Sequence, residues 1–545
     1  MLNKKTFIAL IILTWVSCGK KSAPVEEDTN DNNFVSVLTQ HNDNTRAGLN
    51  GKETILTTSN VNTQQFGKLF SLNVDDQVYA QPLVVANLSI AASKHNVVFI
   101  ATVNNTIYAY DGDTAKLYWQ KNFTAPGMRP VRNNDMTGAC SGNYKDFSGN
   151  IGIVGTPVID PAFNTIYFVA RSTDGTNFTQ YLHAVNILNG SEMPGSPVKI
   201  TATYSGSGTG NINHVITFNP QVQNQRMALT LVKGIIYITF SSHCDWGPYH
   251  GWILGYNTST LKQQIVYNNT PDGSAGGIWE SGTGLAVDDQ GNLYCVSGNG
   301  TEGVGSDPTN LTNRAESALK LTPTASSLKV TSYFTPYNYP HLDSTDGDYG
   351  SLGCFLIPNS SFYLTGAKDG NLYLLNKDNM GGFTAGANMV QQNVSLGHSG
   401  LHCQPSYYKG VTGEFVYVWS EKDQLRAYPF NRVSNTLDIS NVVTSPVPGP
   451  TGWSGALLSV SSNGTLPATG IVWASYASSG NANQSVCSGI LRAFDANDIT
   501  KELWNNGQDI NDNSGNYAKF SSPTIANGHV YLATFSNQVV VYGLK

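Results

Sequence analysis

The sequence predicts an all-β chain closed into an eight-bladed propeller of four-stranded antiparallel blades, and three observations lead there. Charged residues are only 12% of the 545, against 54 Gly and 27 Tyr, the composition of a turn-rich β protein. A short pattern recurs along the chain: a turn, an aliphatic residue, then a Tyr closing a strand. The last repeat lacks an outer strand, and a matching strand stands near the other end.

Residues 97–119 (VVFIATVNNTIYAYDGDTAKLYW) give the pattern in full. They read as strand, Asn-Asn turn, strand, Asp-Gly-Asp turn, strand, with Val98, Ile100, Ile107, Ala109 and Trp119 supplying apolar faces. Such a piece cannot bury its faces alone and needs neighbours of its own kind. Residues 291–297 (GNLYCVS), 370–376 (GNLYLLN) and 538–543 (QVVVYG) repeat it, and 490–495 followed by Leu503 and Trp504 echo 107–111 followed by Tyr118 and Trp119. Eight segments begin near Ala80, Gly155, Ala228, Gly284, Gly353, Cys403, Ala456 and Ser522. Their spacing, roughly 50 to 75 residues, leaves room for inserted loops. The final segment ends at Lys545 with three strands, and residues 66–72 (FGKLFSL) match the missing fourth. Lending that strand across the termini removes the exposed edges.

At the N-terminus Lys4 and Lys5 precede an apolar run over 7–16 and then Ser17 and Cys18. This resembles the bacterial lipoprotein signal. The resemblance implies a signal peptide over 1–17, lipid on Cys18 and a bacterial cell-envelope location, anchored in the outer membrane on its periplasmic or surface face. A transmembrane anchor would need a longer run. Residues 18–33 are polar and acidic and read as a flexible tether, leaving 34–545 as a single propeller domain. Net charge is −6 with no basic cluster beyond the first residues, which argues against a nucleic-acid partner.

Residues 109–119 (AYDGDTAKLYW) resemble the tryptophan-docking repeat of the quinoprotein alcohol dehydrogenases, Ala-x-Asp-x-x-Thr-Gly-Lys-x-x-Trp, with Ala115 in the Gly position. Ala493, Asp495, Thr500, Lys501 and Trp504 match again with one extra residue, and Ala184, Asn186 and Gly190 match in part. The resemblance covers about residues 78–545. It implies the propeller fold, which non-enzymatic scaffolds such as the outer-membrane assembly lipoprotein BamB share. Residues 41–48 (HNDNTRAG), 218–226 (FNPQVQNQR) and 243–252 (HCDWGPYHGW) are similar to a bacterial group of PQQ-repeat-like propellers. A quinone enzyme of this kind would hold PQQ and Ca2+ at the axis. The chain has no adjacent Cys pair and no C-x-x-C-H haem motif, and no motif places the calcium ligands or a catalytic base.

Propeller connections alternate between two faces. The turns on one face are short: 160–164, 233–234, 288–292 and 527–528. The other face collects the insertions 172–179, 241–250, 298–316 and 477–488 and the long links 124–150, 201–225 and 335–348. Long loops gathered on one face of a rigid scaffold are the usual layout of a binding surface. Inner strands of all blades meet at the axis, so the ligand-binding candidates are residues at their starts and on loop-face turns: Arg226, His243, Asp245, His250, Trp279, Glu280, Lys368 and His402. Arg226 and Lys368 would donate, Asp245 and Glu280 accept, and Trp279 stack. The competing reading gives them to inter-blade salt bridges and aromatic packing. No catalytic residue and no metal site is assigned.

Of seven cysteines, six follow Cys18. Export favours disulfides, and at least one inter-blade bridge is expected among Cys244, Cys295, Cys354 and Cys403, with buried free thiols as the alternative. The leading expectation is a membrane-anchored extracytoplasmic propeller that binds a small molecule, protein or glycan on its loop-rich face. The alternatives are a PQQ- and calcium-dependent alcohol or sugar dehydrogenase and a BamB-like assembly scaffold.

Overall fold

Runs of alternating aliphatic and aromatic residues pair into eight antiparallel sheets, mostly of four strands, in the computed structural model, which describes residues 34–545. The expectations for residues 1–33, including Cys18, lie outside the described residues. Blade 1 is complete in sequence: Leu83–Ile90, Ser93–Ala101, Thr106–Asp111 and Leu117–Asn122. The inner strands of blades 2 to 8 are Val158–Asp160, Thr230–Val232, Ala286–Val287, Phe355–Leu356, Ser406–Gly410, Leu457–Ser461 and Thr524–Ala526. Apolar side chains from adjacent blades interlock in layers, as with Val98, Ile100, Tyr531 and Val541 between blades 1 and 8. Burial of these faces drives the ring together.

Ring closure follows the sequence expectation. Phe66–Asn73 pairs antiparallel with Gln538–Leu544, Phe66 opposite Leu544 and Asn73 opposite Gln538. Phe66 packs 5.0 Å from the Trp504 ring and 5.5 Å from Trp473.

The docking repeat has a visible physical basis. The Asp111 carboxylate accepts from the Asp113 and Thr114 amides and from the Tyr118 hydroxyl, fixing the turn. Trp119 then reaches blade 2, where Nε1 donates to the Ile187 carbonyl at 2.8 Å. A Cβ on Gly190 would lie 2.7 Å from the indole, so only glycine leaves room for the docked ring.

The axis is filled on the short-turn side by a segment that sequence reading did not place there. Residues 35–50 enter beside the Asn527 turn, where the Val35 amide donates to Asn527 Oδ1. They then meet every blade in turn. Val37 bridges Val84, the Leu38 carbonyl accepts from the Ile159 amide, and Asn44 donates to the Leu231 carbonyl. The carbonyls of Asn44, Thr45, Ala47 and Gly48 accept from the amides of Val287, Leu356, Tyr407 and Val460, and Asn50 donates to Ile525. Arg46, fully buried, donates to Thr39, Gln40, Thr230 and Leu285. His41 lies between the Arg46 and Leu458 carbonyls at 2.8 and 2.7 Å.

The cysteines correct one expectation. Cys140, in the long link between blades 1 and 2, is bonded to Cys244 of blade 3, 104 residues away. Cys295, Cys354 and Cys403 are buried free thiols, and Cys487 is a half-buried one. Cys295 lies on a second strand, and Cys354 and Cys403 just before inner strands, all three packed in apolar clusters of the sheet stacks. The bridge forms instead where two loops cross above the sheets. No helix among the described residues is long and apolar enough to cross a membrane.

Candidate functional site

Above the filled part of the axis, the starts of the inner strands and the loops over them enclose a cavity of about 300 Å³ on the loop-rich face. A polar belt separates it from the plug below. Gln404 donates to the Ser281 carbonyl and accepts from Ser522, while Gln81 donates to Thr524. Blade 3 contributes Arg226 just before its inner strand, and the loop after its second strand brings Cys244 and Asp245. The strand start of blade 4 brings Trp279, and the link before blade 5 brings Asp346, Asp348 and Ser351. Lys368 comes from a blade 5 turn, His402 and Trp453 from the starts of blades 6 and 7, and Asp146 and Asn483 from loops.

Arg226 is clamped between rings, its guanidinium carbon 4.2 Å from the Phe520 centroid and 5.4 Å from that of Trp279. It donates to the Trp279 carbonyl at 3.0 Å, and its Nε has no partner among the described residues. Burial lowers its pKa to about 10, against the pull of Asp146, Tyr144 and Asp348, so it is charged at neutral pH. Lys368 is held 2.8 Å from Asp346 and 3.0 Å from Asp348. Burial works against its ammonium, but the two carboxylates outweigh it and raise the pKa. Tyr249 donates to Asp245 at 2.6 Å, and Asp245 itself is exposed at the rim. His402 donates through Nδ1 to the Glu421 carboxylate at 2.8 Å, with its ring 4.9 Å from Trp453. Burial lowers the His402 pKa although Glu421 opposes it, so the ring is neutral at pH 7.

Arg226, Asp245, Trp279, Lys368 and His402 thus surround one cavity, and three other candidates stand apart from it. His243 is fully buried beneath, with Arg171 donating to Nε2 at 2.6 Å and Nδ1 facing the Tyr144 oxygen at 2.7 Å. Burial first, then Arg171 and Arg226, hold its pKa well below the usual value. His250 pins the 201–225 link to the end of blade 3, with Nε2 2.9 Å from the Thr209 carbonyl and Nδ1 2.9 Å from Thr270 Oγ1. Glu280 is fully buried, its Oε1 2.6 Å from the Val296 amide nitrogen, and burial raises its pKa well above the carboxylate range. Asp146, Asp348, Trp453 and Asn483 complete the wall; of these, only Trp453 had an inner-strand start to mark it.

Aromatic walls and fixed charges of both signs suit a polar ligand with flat faces. They do not suit calcium. Among the described residues no three His, Cys, Asp or Glu side chains converge as a metal would need, and two of the lining carboxylates, Asp346 and Asp348, are engaged by Lys368.

No family model matches the sequence, and neither does any curated protein. Solved structures do match over almost its whole length. The quinohemoprotein alcohol dehydrogenase ADHIIG of Pseudomonas putida HK5 superposes with TM-score 0.58 at 12% identity, over 93% of this chain and 80% of that one. The quinohemoprotein alcohol dehydrogenase of Comamonas testosteroni gives 0.59 at 13%, again over 93% and 80%. A europium-containing methanol dehydrogenase gives 0.59 at 9%, over 93% of this chain and 98% of that one. At these identities the likeness is one of fold: the chain shares the eight-bladed β-propeller architecture of these structures.

Proposed function

We propose that this propeller is a lipid-anchored, extracytoplasmic binding protein that takes a small hydroxyl-rich ligand, of sugar size, in the axial cavity. The single observation carrying this reading is the cavity itself. Trp279 and Trp453 offer flat apolar faces, while Arg226, Lys368, Asp245, Asp348 and Asn483 offer donors and acceptors around them. Stacking of a ring's C–H face on indole, with hydroxyls bonded to fixed charged groups, needs these residue types together. The plug makes the cavity blind at its inner end, so ligand enters and leaves from the loop-rich face. The anchoring part rests on the signal-like residues 1–18.

Calorimetric titration of residues 34–545 with mono- and disaccharides tests the reading, with PQQ run alone and with calcium as separate arms. Saccharide heat that disappears in Trp279→Ala supports it. Binding of PQQ only in the presence of calcium would replace it with the dehydrogenase reading, which a dye-linked alcohol and sugar assay would then examine. Silence in every arm would leave the scaffold reading and end this one. Incorporation of labelled palmitate that is lost in Cys18→Ser checks the anchor.

The quinone reading retains the fold and the two indoles, and Arg226 with Lys368 could face a planar polycarboxylate. The carboxylates do not fit its calcium, so no step is derived through it.

A further inference from the structure

Beside the axial cavity, and sharing Asp146 with it, lies a second cavity of about 190 Å³ lined by Tyr79, Asp146, Phe147, Lys519 and Phe535. Lys519 is 4% exposed. It forms no ion pair among the described residues; its ammonium donates to the Asn483 carbonyl and stands 5.3 Å from the Trp453 ring centroid. A buried lysine normally brings a carboxylate with it, because an unpaired charge in a low-dielectric site is costly. Tyr79 lines the same cavity, its buried hydroxyl beside Ser148.

We propose that Lys519 is a carbonyl-capturing amine, forming a reversible imine with a short aldehyde or 2-oxo acid admitted to this second cavity. The neutral amine nitrogen attacks the carbonyl carbon, the C=O π pair moves onto oxygen, and one proton passes from the nitrogen to that oxygen to give the neutral carbinolamine. The nitrogen lone pair then forms C=N as the C–O bond breaks, and the second nitrogen proton is passed to the departing oxygen, which leaves as water. No oxidant or reductant enters. The Asp146 carboxyl, in the same cavity, is placed to carry the protons between nitrogen and oxygen, and Tyr79 lines that cavity as a hydroxyl donor to the carbonyl oxygen.

The electrostatics agree. Burial, helped by Arg226 and opposed by Asp146, brings the Lys519 pKa down to about 8. At pH 7 its free-amine fraction is then roughly a hundredfold or more that of an ordinary lysine. Burial likewise raises the Asp146 pKa, against Lys519 and Arg226.

The test is reductive trapping on the whole 34–545 domain. Protein is incubated with glycolaldehyde or with pyruvate plus cyanoborohydride at pH 7, digested and mapped by mass. The expected result is a reduced adduct dominated by Lys519, with occupancy roughly tenfold above any exposed lysine. Its rate should rise with pH to a plateau above about pH 8, and it should slow in Asp146→Asn. Which probe labels decides between aldehyde and 2-oxo acid. Label spread over exposed lysines with Lys519 unmodified, from both probes, overturns the proposal without need of any variant. Lys519→Arg, accepted only if its melting curve matches wild type, should lose the adduct and retain saccharide heat, which separates this proposal from the axial reading.

Discussion

Arg226 and Trp279 are the side chains on which the axial site turns, one a clamped cation and the other a flat wall. Arg226→Ala and Trp279→Ala should each weaken ligand binding by about 1.5–3 kcal/mol, read by calorimetry. Loss of fold stability should stay near 1–2 kcal/mol, because both side chains border a cavity rather than the sheet stacks. Asp288→Asn, on the short-turn face, should leave affinity unchanged. Lys519 gives a pH signature. Its folded pKa of about 8 lies below the ordinary 10.5. The cost of burying the charge is therefore present in full below pH 8 and fades as pH rises to 10.5, where only the unfolded chain still holds the proton. Lys519→Met should accordingly raise unfolding free energy at pH 7 by on the order of 2–3 kcal/mol, and by much less near pH 10, as denaturant melts at the two pH values would show. Position in the blade was enough to bring Arg226, Trp279, Lys368 and His402 toward the axis, since each stands at a strand start or a loop-face turn. It could not foretell Glu280. There the backbone takes three left-handed residues in succession, Glu280, Ser281 and Gly282, and the carboxylate meets the Val296 amide instead of the cavity.

The plug is the element the sequence concealed. Residues 41–48 (HNDNTRAG) have no apolar periodicity to mark them as part of the core, and the sequence offers only their similarity to a bacterial group of propellers. Their stability comes from main-chain and Arg46 hydrogen bonds to inner strands of distant blades, which leave no trace in local pattern. Arg46→Ala removes donors from four buried acceptors at once. Chemical denaturation should show a loss on the order of 3 kcal/mol or more, and Arg46→Lys should recover little of it because an ammonium cannot span the same acceptors. The disulfide was hidden for a different reason: spacing does not reveal that the 124–150 link folds back over blade 3. Non-reducing peptide mapping should find Cys140–Cys244 alone. Replacing both with serine should cost about 2–4 kcal/mol, given the long loop that the bridge closes.

The ring was legible almost throughout, because repeats report themselves: strand starts, the docking Trp residues and the split last blade all follow from pattern. Closure through Phe66–Asn73 holds the two ends of the chain in one sheet. Deleting residues 34–75 strips both the closing strand and the plug, and a single cooperative loss of structure at room temperature is expected by circular dichroism. A truncated chain that kept the full melting temperature would contradict both roles.

The plug also sets an order of events during folding. Val37 to Asn50 leave the ribosome before any blade exists, yet their partners run through to Ile525 of the last one. Blades can stack pairwise as they appear, but the central segment cannot be satisfied until nearly the whole chain has been made. The earliest-synthesised residues of the domain are therefore among the last to settle, and final consolidation must wait for contacts of very long sequence separation, which places this protein among slow folders. A chain of this design stays open at its centre until its last blade is in place.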